Sequence, residues 1–263
     1  MMAAGAAEDV ARLYGWGLAL TVSFGQGGEI LWTPVGVATL SGSDAPGLNS
    51  SLVWSAASPA DYERLVGFIH DRGRTGNHVM VQNAVETLAP HALRQGLVPA
   101  GSMPLLVLKP QQPPPMPDWD GEVERVHRWE TVRDEATPLV SEAFDLPLEA
   151  MRALVGPLTA ADCGLDVFVA RRGGVAVSTV YTTRQGGAVG IWNLATPPRW
   201  QRQGAGRAVL ATAIAHHMAS GARLFYLSAT RAGISLYIRL GFVPATTLVA
   251  WSLPPAVQTP VSP

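Results

Sequence analysis

A chain of 263 residues with 48% hydrophobic and 15% charged side chains has the apolar matter for filled cores, which argues against disorder. Its formal net charge of −1 offers no bulk attraction to nucleic acid or to an anionic membrane. The lone cysteine, Cys163, excludes an internal disulfide framework and a cysteine metal centre, so no metal is expected.

In chain order, Glu8, Asp9 and Arg12 interrupt the first apolar stretch, against a secretory leader. No apolar run reaches the length of a membrane span, and a cytoplasmic location is expected. Residues 59–72 predict a helix. Residues 78–99 then align without a gap to 223–244 at a constant offset of 145, placing Ala84 on Ala229, Arg94 on Arg239, Gly96 on Gly241 and Pro99 on Pro244. The helix before each segment also matches, and together these predict an internal repeat. Between the copies, Pro110, Pro113, Pro114, Pro115 and Pro117 favour an extended spacer. The expected division is a first domain over 1–109, a linker over 110–118, a second domain over 119–253 and a flexible tail over 254–263.

The second half alternates strands and helices. Strands are expected at 123–126, 165–171, 175–183, 188–196, 224–228 and 247–253, with glycine turns at Gly173-Gly174 and Gly186-Gly187. Helices are expected over 135–144, 148–155, 205–219 and 234–240. Gln201-Arg202-Gln203-Gly204-Ala205-Gly206 falls where a strand gives way to the helix at 205. Two glycines there let backbone N–H groups close on a phosphate oxygen, and the helix dipole favours the same anion. The bland alternative is a tight turn with close helix packing. No lysine follows the glycines, which argues against a nucleotide P-loop.

Gln201, Gly204 and Gly206, followed downstream by Leu236-Tyr237-Ile-Arg-Leu-Gly241-Phe242, resemble the two motifs of the GNAT-type N-acetyltransferase superfamily. The resemblance covers about residues 121–253 and is weaker over 48–109. It implies an α/β fold with a mixed, mostly antiparallel central sheet flanked by helices, in two tandem copies. It also implies acetyl-CoA as cosubstrate, an amine-bearing acceptor and direct attack in a ternary complex, by a monomer or homodimer. The cradle would comprise Gln201, Arg202, Gln203, Gly204, Ala205, Gly206 and Arg207, with Leu194, Ala195 and Thr196 offering a strand edge to the pantetheine arm. In the family that strand is splayed by a bulge, and a main-chain N–H, that of Leu194, could hold the oxyanion.

Tyr237 matches the family's general acid, against the reading of an ordinary core tyrosine. Thr230 would touch the cofactor or cap a strand end. The strand before the glycine turn carries Asn193 where many relatives have a carboxylate; Asn193 can orient a water or the amine but cannot take a proton. Glu142 is a candidate base through water, with Asp145 and His127 behind it, each also readable as a solvated or capping side chain. His216 and His217 read as helix residues, and Trp192 and Trp200 as flanking aromatics. At the offset of 145, Gly204, Gly206 and Tyr237 become Pro59, Asp61 and Ala92. The first copy is therefore expected to lack a cofactor site. A non-catalytic acyl-CoA-binding protein is the alternative.

Overall fold

The computed structural model describes residues 4–23, 27–154 and 164–254. The first half runs α1 (Ala4–Ser23), β1 (Glu29–Thr33), β2 (Gly36–Leu40), β3 (Ser50–Val53), α2 (Pro59–His70), β4 (Asn77–Val81), α3 (Gln82–Arg94) and β5 (Val98–Leu108). The second begins with β6 (Glu122–Val126), α4 (Trp129–Thr131), α5 (Thr137–Phe144), α6 (Leu148–Ala153) and β7 (Leu165–Arg172). It continues with β8 (Val175–Gln185), β9 (Ala188–Ala195), α7 (Ala205–Ala219), β10 (Leu224–Ser228), α8 (Ile234–Arg239) and β11 (Val243–Ser252). A wide turn of π-helix, Val132–Ala136, joins α4 to α5. The expected tail lies, beyond Pro254, outside the described residues. No helix among the described residues is long and apolar enough to cross a membrane.

Eleven strands form one sheet in the order β1-β2-β3-β4-β11-β5-β10-β9-β8-β7-β6. It is antiparallel except at β3–β4 and β9–β10. Each half thus contains the same unit: a hairpin, a strand, a helix, a parallel strand, a second helix and a last strand. The last strands are exchanged. β5 closes the first half in sequence but pairs with β10 of the second, and β11 pairs with β4 of the first. β5 and β11 then pair with each other from Val107↔Val243 to Val98↔Ser252, stitching the halves through the middle of the sheet.

The alternation of the strands decides what each face buries. Phe225 and Leu227 of β10 join Phe168, Ile191, Val209 and Ile214 under α7, whereas Tyr226 packs on the opposite face. That opposite face carries α1, which the sequence reading did not foresee. Gly15 and Gly17 let it lie close: a Cβ on Gly17 would stand 2.6 Å from Trp192 and 3.0 Å from the Tyr226 hydroxyl. Tyr226 in turn donates a hydrogen bond to Leu13 O at 2.9 Å.

Two buried histidines lie away from the strand ends. His78 Nδ1 is 3.0 Å from Ser51 Oγ and its Nε2 is 3.3 Å from His70 Nε2. His217 Nε2 is 2.8 Å from Thr182 Oγ1. Burial first, then the neighbouring His70, pushes His78 down to about 3. Burial likewise lowers His217, against the pull of Asp166. Both are neutral in the folded chain at pH 5, where the unfolded chain protonates them, so the unfolded state binds more protons. Stability is expected to fall as pH drops below about 6.5, by about 1.4 kcal/mol per pH unit for each such histidine. Thermal melts from pH 7.5 to 4.5 check this, and His78→Gln should flatten the slope; an unchanged slope would count against the assignment.

Candidate active site

β9 is the strand that makes room. Trp192 sits opposite Tyr181 and Ala195 opposite Thr179, so Asn193 and Leu194 together face Val180 alone. This is a β-bulge, and Asn193 adopts φ 47°, a left-handed conformation that asparagine tolerates better than most residues. Parallel pairing with β10 spans only Leu224↔Ala188 to Tyr226↔Gly190, and beyond it the strands part. Ser178 secures the outer strand, donating to Ala195 O at 2.9 Å and lying 2.8 Å from Thr196 Oγ1. A cleft of about 450 Å³ opens in the gap.

At one end of the cleft lies the glycine turn. Arg202 (φ 63°) and Gly204 (φ 93°) both turn through the left-handed region. Ala208 N donates to Gly204 O at 2.9 Å, so the amides of Ala205, Gly206 and Arg207 come before the first bonded amide of α7. Gly204, at the N-cap, supplies no side-chain acceptor for them. The N-terminus of α2 is built the other way: Ser58 Oγ accepts from Asp61 N at 3.2 Å and closes the same position. At Gly206 a Cβ would come within 3.0 Å of Thr196 Oγ1, so glycine lets helix and strand end meet.

The turn is held from outside the cleft. Arg172 Nη1 donates to Gln203 Oε1 at 2.7 Å, Gln203 Nε2 donates to Arg199 O at 3.0 Å, and Arg172 also pairs with Asp120 at 2.7 Å. Gln201 Nε2 donates to Thr196 O at 2.9 Å. Severing the brace with Arg172→Ala is expected to weaken binding of a phosphate-bearing ligand about three- to tenfold, the worth of one or two such hydrogen bonds. Calorimetry checks it; unchanged affinity would make the brace irrelevant to the turn.

Tyr237, on α8, reaches the cleft from the other side. It is 8% exposed, and burial raises its hydroxyl to about 12. Its ring meets Phe242 edge-on at 5.8 Å, and the missing side chain of Gly233 gives it space. Thr230 lines the cleft and also caps the turn, accepting from Gly233 N at 3.2 Å. The two readings of Thr230 are therefore compatible.

Of the residues singled out in the sequence, Asn193, Leu194, Thr196, Gln201, Arg202, Gly204, Gly206, Arg207, Thr230 and Tyr237 line this one cleft. Ala195 and Ala205 are buried behind it, and Gln203 braces the turn. Glu142 is not among the lining residues; it forms an ion pair with Arg199. Asp145 ends α5 in a left-handed conformation, and neither it nor His127 lines the cleft. His217 lies on the buried face of α7, as a helix residue would. The structure adds Phe144, Ser228 and Arg239 to the lining. Phe144 carried a faint signal, the large apolar residue ending a helix; Ser228 and Arg239 carried none.

The arrangement joins open helix amides and Arg202, Arg207 and Arg239 with an apolar passage past Leu194, Phe144 and Leu236. It suits a ligand with a polyanionic end and a long neutral arm. A splayed strand edge would pair with amides on that arm, and a protonated phenol waits near its tip.

Residues 164–244 match the family model described as acetyltransferase (GNAT) domain. Among solved structures, the chain is similar to a GCN5-related N-acetyltransferase from Kribbella flavida, with 21% identity, TM-score 0.67, and coverage of 96% of this chain and 97% of that one. It is also similar to one from Sphaerobacter thermophilus, with 18% identity, TM-score 0.60 and coverage of 86% and 79%. A tandem GNAT protein from the clavulanic acid biosynthesis pathway shares 12% identity with TM-score 0.55 over 96% and 95%. No curated protein matches the chain significantly.

Proposed function

We propose that this chain, whose residues 164–244 belong to the acetyltransferase (GNAT) domain family, moves an acetyl group from acetyl-CoA to a primary amine by direct attack in a ternary complex. The observation that carries the reading is the open N-terminus of α7 facing the bulged end of β9, with Tyr237 across the cleft. Residues 119–253 would do the chemistry. Residues 1–109 would be a copy without a cofactor site, since Ser58 closes the corresponding helix end and Ala92 replaces the tyrosine. The segment 110–118 would link them.

Amides of the 202–207 turn would hold the pyrophosphate, with Arg202 and Arg207 adding charge. Leu194, within the bulge, would present its N–H to the carbonyl oxygen and to the oxyanion that develops there. The amine nitrogen attacks the carbonyl carbon, the C–S bond breaks, and Tyr237 supplies the proton that the departing thiolate takes up. The proton lost from the nitrogen leaves through a water oriented by Asn193. Glu142, already bound to Arg199, serves the turn rather than this proton.

Calorimetry with acetyl-CoA, followed by detection of free thiol in the presence of an amine panel, tests the reading. Binding together with amine-dependent thiol release supports it. Binding without release would favour a protein that only holds acyl-CoA, and absence of both would reject the cradle.

A further inference from the structure

Asp166 and Thr182 are cross-strand partners on β7 and β8, and the last turn of α7 lays His217 over the pair. His217 Nε2 is 2.8 Å from Thr182 Oγ1 and 3.7 Å from Asp166 Oδ2. His216, next along the helix, reaches the rim of the same place. Among the described residues, Asp166, His216 and His217 thus bring one donor atom each within 4.8 Å of one another. Phe168 meets both imidazoles edge-on, at 5.4 and 5.9 Å, and limits how the rings can turn. Arg125 Nε donates to Asp166 Oδ1 at 2.8 Å, and its Nη2 donates to the same oxygen, so Oδ2 is the oxygen left towards His217. Asp166 and His216 are half-buried, which leaves a way in from solvent. Neither these three residues nor Thr182 and Arg125 line the cleft at the other end of α7.

We propose that Asp166, His216 and His217 form a zinc site that clips the end of α7 to β7. The lone cysteine excludes a thiolate centre, but two imidazoles and a carboxylate are themselves a zinc ligand set, and one that magnesium and calcium, which take oxygen ligands, do not favour. A tetrahedral zinc holds its ligand atoms about 3.4 Å apart. Asp166 Oδ2 and His217 Nε2 are already near that spacing, and the half-buried His216 ring closes the set by turning inward. Water fills the fourth position. Thr182 gives up His217 to the metal and keeps Asp166 O, 3.3 Å from its hydroxyl, as an acceptor. The carbonyl end of the α7 dipole favours a cation there. Arg125 opposes it in charge while fixing the carboxylate, as hydrogen-bonded partners of metal ligands do. The charges of Arg184, on both histidines, and of His127, on His216, also act against a cation and keep the affinity moderate.

The test is calorimetry with Zn²⁺ on the metal-stripped chain without an affinity tag, with Mg²⁺ as the control. One Zn²⁺ should bind per chain with a Kd of about 10 µM or tighter, and Mg²⁺ should give no heat. At about a hundredfold excess of Zn²⁺ over Kd, the melting temperature should rise by about 5 °C or more. His216→Ala, at a half-buried position, should weaken zinc binding at least about tenfold and abolish most of that rise, and Asp166→Asn should do the same. His91→Ala removes a distant imidazole, one that pairs with Glu63, and should change neither. Co²⁺ bound to the native chain should show the visible absorption of a tetrahedral site, and His216→Ala should erase it. If one variant does not fold, the other decides, and the stoichiometry and cobalt spectrum need no variant. Absence of zinc binding, several weak ions in place of one, or native affinity in His216→Ala would overturn the proposal.

Discussion

Tyr237→Phe is expected to lower kcat by about 10²- to 10⁴-fold, the usual worth of a positioned proton donor, while acetyl-CoA affinity moves by less than about twofold. The substitution removes one oxygen and keeps the ring, so the edge contact with Phe242 and the fit against Gly233 survive. Burial raises the hydroxyl to about 12, so its proton is in place before the thiolate departs. A tyrosine limb should therefore be absent from the pH–rate profile below about pH 10. Single-turnover kinetics would separate the chemical step from product release. An unchanged kcat would remove Tyr237 from the mechanism and leave it a core residue.

Gly204→Glu is expected to weaken acetyl-CoA binding by at least about 100-fold. Two effects add. At φ 93° a side chain is strained by about 1–2 kcal/mol, and a carboxylate would stand at the helix N-terminus in competition with phosphate. Gly204→Ala separates them, because it introduces the strain without the charge; the nearest atom to its Cβ, Asp118 O, is 3.6 Å away and leaves room. Calorimetry on both variants beside a thermal melt gives the answer. If the alanine variant melts lower yet binds normally while the glutamate variant does not bind, the turn is an anion cradle. Normal binding by the glutamate variant would place the phosphates elsewhere.

The second half was largely legible because its punctuation is local. Gly173-Gly174 and Gly186 turn through positive φ where the strands reverse, and the helix expected over 205–219 runs Ala205–Ala219. The strand placed at 247–253 begins earlier, at Val243, because its partner β5 is long enough to pair with the extra residues. The first half hid its hairpin, Glu29–Leu40, and α1 altogether. Gly15 and Gly17 lower the helical signal of α1 in isolation, and their value appears only against Trp54, Trp192 and Tyr226. The site divides the same way. Residues 201–207 and Tyr237 are readable as motifs, whereas Phe144 and Ser228 reach the cleft through packing that no short segment encodes. The bulge at Asn193 lies between: asparagine before a Pro-Pro pair is compatible with it, but the register against Val180 decides it.

The exchange of β5 and β11 bears on how such a chain can change over generations. Residues 1–109, proposed as the copy without a cofactor site, include the strand that covers the edge of β10 over Leu105–Leu108. Losing them would bare that edge beside the cleft and strip β11 of both its neighbours, β4 and β5. The same clasp makes a physical forecast: a chain nicked between Pro113 and Pro114 should migrate as one particle and melt in one transition. Each half thus completes the sheet of the other, β5 beside β10 and β11 beside β4.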